Sequence, residues 1–128
     1  MQDTWNAVLY LPLDSAFEEG SKLMDVPDVW IHKNRMSGMW SGNTMCEEFL
    51  DDHGIRSLLF AGVNIDQCVS GTFTDASSKG YDCILLSDAY GTTSPAFSQE
   101  CIELNAVKTW EFLMTSEELA KGADGMDK

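Results

Sequence analysis

Positive charge is scarce in this chain. Eight Lys and Arg stand against 21 Asp and Glu over 128 residues, a formal net charge of −13. Phosphate backbones are bound through basic patches, so nucleic acid is not an expected partner, and an anionic membrane surface is disfavoured for the same reason. Long apolar runs are also missing: none approaches the 18 or more residues that span a bilayer. The opening MQDTWNAVLYLPLD has neither a basic leader nor a proper apolar core, so it does not read as a secretory signal, and a cytoplasmic location is expected. Histidine is limited to His32 and His53, and no CxxC occurs, which argues against zinc. No GxGxxG and no GKS or GKT follows a strand, so dinucleotide and P-loop readings fall and no cofactor is expected. Cys46, Cys68, Cys83 and Cys101 show no close pairing, which favours reduced thiols over a disulfide framework.

What is present is a globular composition, 44% hydrophobic and 23% charged, at a length suited to one domain. The first 28 residues hold six acidic side chains against Lys22, with Pro12 and Pro27 as breakers, and read as an irregular segment with a short helix near residues 15–24. A regular α/β pattern follows over 29–120, and 121–128, rich in glycine, predict a frayed tail. Val29–His32 is a short β-prone run. Thr44-Met45-Cys46-Glu47 fits a capping box, in which the hydroxyl and carboxylate satisfy each other's unpaired amides. Its helix ends near His53, with Gly54 beyond. Ser57–Ala61 and Cys83–Leu86 are near-continuous apolar runs of the kind buried on both faces, and Phe112–Met114 is a last short one. Between them, 66–79 read as a helix stopped by Gly80. Ser94-Pro95 reads as a cap with proline at the first helical position, opening a helix whose buried face carries Phe97, Cys101 and Leu104. Ser116-Glu117-Glu118 opens a terminal helix. Strands alternating with helices imply an α/β fold, three-layer α/β/α around a mainly parallel sheet, with ligands beyond the strands' carboxyl ends.

The densest chemical signal is the string from Ala61 to Val69, AGVNIDQCV, which sets Cys68 at the start of a helix after a buried strand. Free amides and the positive end of the helix dipole favour a thiolate there and could hold a developing oxyanion. The competing reading of Cys68 is a small apolar plug between helix and sheet. Lys33, at the end of the first β-prone run, could neutralise such a thiolate or could be an ordinary exposed strand-end lysine. Cys46, Cys83 and Cys101 read as buried or half-buried filler.

Together KNRMSG, AGVNIDQCV, KGYD and SDAYG resemble the isochorismatase-like cysteine hydrolases, and in detail their fungal-type members, over roughly residues 28–115. The resemblance implies a Rossmann-like fold with Cys68 as nucleophile and Lys33 as the lysine that steadies its charge. It also implies a non-proline cis peptide joining Val63 to Asn64, and an oxyanion hole made by the amides of Asn64 and Cys68. The third member of the family triad is an aspartate in a string like VIDMQNDF on a first strand. Nothing here matches it, so an N-terminally shortened fold is expected, without that aspartate and without the nicotinamidase zinc set. The expected activity is hydrolysis of a small-molecule amide or related C–N bond, or of an isochorismate-type vinyl ether. The alternative is a binding protein that keeps the scaffold without turnover. A shortened sheet leaves an unpaired edge, which predicts self-association into a homo-oligomer.

Overall fold

A computed structural model describes Trp5 and residues 8–110 and 112–126. The chain divides into two compact units, Met1–Ile31 and His32–Lys128. In the first, α1 (Leu11–Gly20) carries its proline at the helix start, where the missing amide costs nothing. The chain then turns back, the amide of Asp28 donating to the Gly20 carbonyl at 3.1 Å, and Trp30 meets Phe17 edge-to-face at 5.4 Å. This helix starts four residues before the position expected from sequence.

The second unit is an α/β fold. Its elements are α2 (Met45–Asp52), β1 (Ser57–Val63), a wide π-helical turn (Ile65–Val69) running into α3 (Ser70–Ser78), and β2 (Asp82–Gly91). Then come α4 (Ala96–Asn105), a second wide turn (Ala106–Trp110), β3 (Phe112–Met114) and α5 (Ser116–Met126). The three strands lie in the order β1-β2-β3, and both pairings are parallel. The parallel α/β architecture expected from the alternating pattern is therefore present. Among the described residues no helix is long and apolar enough to cross a membrane.

The core follows from the two-residue strand period. Leu58 and Phe60 pair with Cys83 and Leu85, and these side chains pack with Phe73 and Ala76 of α3, Leu50 of α2 and Ala106 after α4. Phe60 and Phe73 meet edge-to-face at 5.1 Å. The alternate residues face the other way: Leu59 pairs with Ile84 and Ile84 with Phe112, and Leu59 and Phe112 are 50% and 60% exposed.

The capping box of α2 forms as the sequence predicts: Glu47 donates its amide to Thr44 Oγ1 at 3.3 Å and accepts from the Thr44 amide at 3.4 Å. Lys79 binds the same carboxylate at 2.6 Å. Burial opposes ionisation of Glu47, but these bonds win and hold its carboxyl below the usual range. Replacing Thr44 by alanine frees the Glu47 amide, and urea unfolding should register a loss of about 1 kcal/mol.

Three expectations are corrected. Val29–His32 is not a strand: β-prone residues make one only where a neighbour offers a ladder, and the sheet of the described residues consists of β1, β2 and β3. Phe97, Cys101 and Leu104 do not line a buried face. Phe97 and Leu104 are 69% and 54% exposed and Cys101 is exposed, while α4 turns Ile102 and the following Ala106 to the core. Helix caps also slip by one position. Pro95, not Ser94, is the N-cap of α4. Thr115 rather than Ser116 makes the reciprocal bonds with Glu118, while the Ser116 amide donates to Asp88 at 2.8 Å. Those bonds seat α5 firmly at its start, and the helix continues to Met126 despite Gly122 and Gly125.

Candidate active site

The site is built where β1 ends. The pairing of β1 with β2 jumps between Phe60 and Gly62, and Gly62 adopts φ +113°, a backbone conformation that side chains other than glycine's rarely allow. The next peptide, Val63–Asn64, is cis. Asn64 returns to extended geometry as the N-cap of the wide turn. Within that turn Ile65 and Val69 are buried, at 0% and 8% exposure. Their four-residue spacing pins one face to the core and leaves Cys68 half-buried beside it. The Asn64 carbonyl accepts from the amides of Gln67 and Val69, on either side of Cys68. The thiol of Cys68 donates back to the Val63 carbonyl at 3.2 Å.

Lys33 opens the loop between the first unit and α2. Its exposed ammonium donates to the carbonyls of Arg35 and Met36 at 2.8 and 2.9 Å, so the loop curls around its own lysine. The rest of the loop is anchored by buried Ser37 and Met39, the Met39 amide donating to Ser37 Oγ at 2.9 Å. Arg35 lies over the Trp40 ring at 5.1 Å. This loop packs on the helix that carries Cys68: a methyl group placed on Gly71 would lie 3.7 Å from Met36 Cγ and 3.8 Å from Ser37 Cβ. The loop that begins at Lys33 is thus packed against the helix that follows Asn64 and Cys68.

Two further side chains act here: Thr72, which sequence reasoning missed, and Asp66, which its place beside Cys68 offers as a stand-in for the family aspartate. Thr72 accepts from the Gly38 amide at 3.0 Å and donates to the Cys68 carbonyl at 2.8 Å, tying loop to helix. Asp66 accepts from the Thr92 hydroxyl at 2.6 Å, and Thr92 in turn accepts from the Ser94 amide at 3.1 Å. The Thr92 hydroxyl first, then that of Ser94, holds the Asp66 carboxyl below its usual range. That carboxylate therefore fastens the loop after β2 to the helix start. Its nearness to Cys68 in sequence was the available signal; its engagement by Thr92 was not.

The other thiols match two of three expectations: Cys83 is buried and Cys46 half-buried, but Cys101 is exposed, and all are free. Burial pushes the Cys46 thiol up, Glu47 adding to the effect and Lys79 opposing it. Among the described residues no group of three or more His, Cys, Asp or Glu is placed to hold a metal ion.

Comparison with known proteins gives this geometry a lineage. In solved structures the fold recurs in nicotinamidases from Bacillus subtilis (TM-score 0.77, 23% identical, covering 90% of this chain and 60% of that one) and Staphylococcus aureus (0.78, 18%, 91% and 69%). Among curated proteins, the ureidoacrylate amidohydrolase RutB of Klebsiella pneumoniae is 36% identical over 78 residues, 61% of this chain and 32% of its own. The RutB of Caulobacter segnis is 31% identical over 98 residues, 77% of this chain and 40% of its own. The chain thus spans about a third to two fifths of the length of these curated relatives. A model of the isochorismatase domain matches residues 14–118. With that match spanning most of the sequence, and with the strand–turn–cysteine arrangement described above, the chain belongs to the isochorismatase family.

Proposed function

We propose that the chain carries the nucleophile site of a hydrolase that cleaves a C–N bond in a small-molecule amide. The observation that carries this is Cys68, half-buried in the first helical turn after β1, with its own amide lying between two that the Asn64 carbonyl has already engaged. Its thiolate attacks the amide carbon, forming a C–S bond, and the carbonyl oxygen gains the charge. The amides of Asn64 and Cys68 are the donors for that oxyanion. Collapse breaks the C–N bond, the departing amine takes up a proton, and water hydrolyses the thioester to release the acid and regenerate the thiol. Lys33 steadies negative charge on sulfur and then on oxygen. The names of the curated relatives, amidohydrolases, favour an amide over the vinyl ether that the family also cleaves.

Thiol chemistry tests the reading directly. Exposure alone ranks Cys101 first for alkylation, since Cys68 and Cys46 are half-buried and Cys83 is buried. A nucleophile at a helix start should reverse that order. Iodoacetamide at mildly acidic pH, followed by peptide mass mapping, should label Cys68 ahead of Cys101. Labelling of Cys101 first, with Cys68 behaving as an ordinary thiol, would sink the assignment.

A further inference from the structure

We propose that Thr72 is the positioning residue that holds Lys33 in working register with Cys68, an inference that rests on the Cys68–Lys33 reading above. The Thr72 hydroxyl is shared between the two halves of the site. As acceptor it takes the Gly38 amide from the lysine loop at 3.0 Å, and as donor it bonds the Cys68 carbonyl at 2.8 Å. The lysine is coupled to that point through its own loop, because its ammonium is held by the Met36 carbonyl, two residues before Gly38. The side chains converge as well. A methyl group on Gly38 would sit 3.6 Å from Thr72 Cγ2 and 4.0 Å from Lys33 Cδ.

A threonine in mid-helix ordinarily bonds the carbonyl four residues back and does nothing else. Thr72 makes that bond to Cys68, and its remaining lone pair receives the loop. Removing the hydroxyl therefore does two things at one stroke. It leaves the half-buried Gly38 amide without its acceptor, so the loop shifts toward water, and the Met36 carbonyl moves with it. The ammonium follows its carbonyl away from the sulfur. Nothing in this sequence of events requires the helix to unfold, since α3 keeps its backbone bonds and its buried Phe73 and Ala76.

The charged groups that the assignment involves are Lys33 from the loop and Asp66 from the turn that carries Cys68. Asp66 is bound to Thr92, so Thr72 variants leave it in place. The experiment follows Cys68 alkylation against pH in the full chain, using iodoacetamide, for Lys33→Ala, Thr72→Val, Thr72→Ser and the Lys33→Ala/Thr72→Val pair. Lys33→Ala should slow labelling and raise its pH midpoint. Thr72→Val, which keeps shape and loses the hydroxyl, should do the same by roughly 3- to 10-fold, and the pair should be no slower than Lys33→Ala alone. Thr72→Ser, which keeps the hydroxyl, should return the profile to that of the unaltered chain.

A lowered melting temperature with an unchanged alkylation profile in Thr72→Val would overturn the proposal, leaving Thr72 a structural residue. Additive losses in the pair would also overturn it, since Thr72 would then act by another route. If Lys33→Ala itself leaves the profile unchanged, the Lys33–Cys68 reading fails and takes this inference with it. A slowed Lys33→Ala beside an unaffected Thr72→Val refutes the inference alone. Should the valine variant not fold, amide exchange in the unaltered chain decides the point. The Gly38 amide is expected to exchange slowly, Thr72→Ser to preserve that protection, and rapid exchange at Gly38 would count against the link.

Discussion

Turnover of an amide by this 128-residue chain is expected to lag far behind the reactivity of its cysteine. The lag should be about 10²–10⁴-fold relative to a site with a positioned acid/base, which is the contribution such a group typically makes. Two proton transfers frame the reaction: one leaves the thiol before attack, another reaches the departing amine. The helix start and Lys33 can favour the charged thiolate, but neither accepts a proton and passes it on. Asp66, the carboxylate nearest Cys68 in sequence, is bound to the Thr92 hydroxyl, and the Cys68 thiol donates to the Val63 carbonyl rather than to a carboxylate. The measurement pairs Cys68 alkylation with steady-state hydrolysis of simple primary amides and ureido acids. Fast labelling with weak turnover is the expected pattern. Efficient turnover abolished by Cys68→Ala and by Lys33→Ala would overturn it, and would mean that another carboxylate serves. Its source could then be found by replacing Asp66 and then Asp14, an acidic residue in the first turn of α1. Mixing Cys68→Ala chains with the inactive carboxylate variant would follow, since recovered activity places the carboxylate on a second copy.

The largest stability effect should come from Phe73→Ala. Phe73 is fully buried, meets Phe60 edge-to-face at 5.1 Å, and sits in α3 on the face that covers β1 and β2. Truncation removes most of a ring's transfer free energy and opens a cavity between helix and sheet. The cost is about 3–5 kcal/mol, a large part of what a domain this size has in total. Urea unfolding followed by circular dichroism would measure it. A loss below about 1 kcal/mol would mean that the core collapses onto the gap. Because the helix that carries Phe73 also carries Thr72, the same variant should loosen the lysine loop before the sheet itself gives way.

The parts of the molecule that could be read from the amino acids are those fixed by local chemistry. Thr44 and Glu47 are three residues apart and can satisfy only each other's neighbourhood, so α2 begins where the pattern says. The helix after β1 likewise begins within a residue of its expected start, and the cis bond between Val63 and Asn64 that the family string implies is present. What could not be read depends on partners distant in the chain. On α4, Phe97, Cys101 and Leu104 repeat at helical spacing as convincingly as Ile102 and Ala106 do, and only the sheet's position decides which stripe is buried. Val29–His32 has strand composition but no ladder. Thr72 carries no local mark of its second bond, because the partner, Gly38, lies 34 residues away.

The curled loop around Lys33 has one more consequence, which follows from counting donors. An ammonium has three N–H bonds and no lone pair. Two of the three are committed to the Arg35 and Met36 carbonyls. The lysine therefore offers a single directed N–H to whatever lies in front of it, and cannot bond the sulfur and a substrate oxygen at the same instant. Under the proposed assignment its service to the two would be sequential, a handover from nucleophile to oxyanion timed by the attack itself. An arginine at this position, with five donors in a rigid fork, would remove that ordering and could hold both partners at once, freezing the site in its first state.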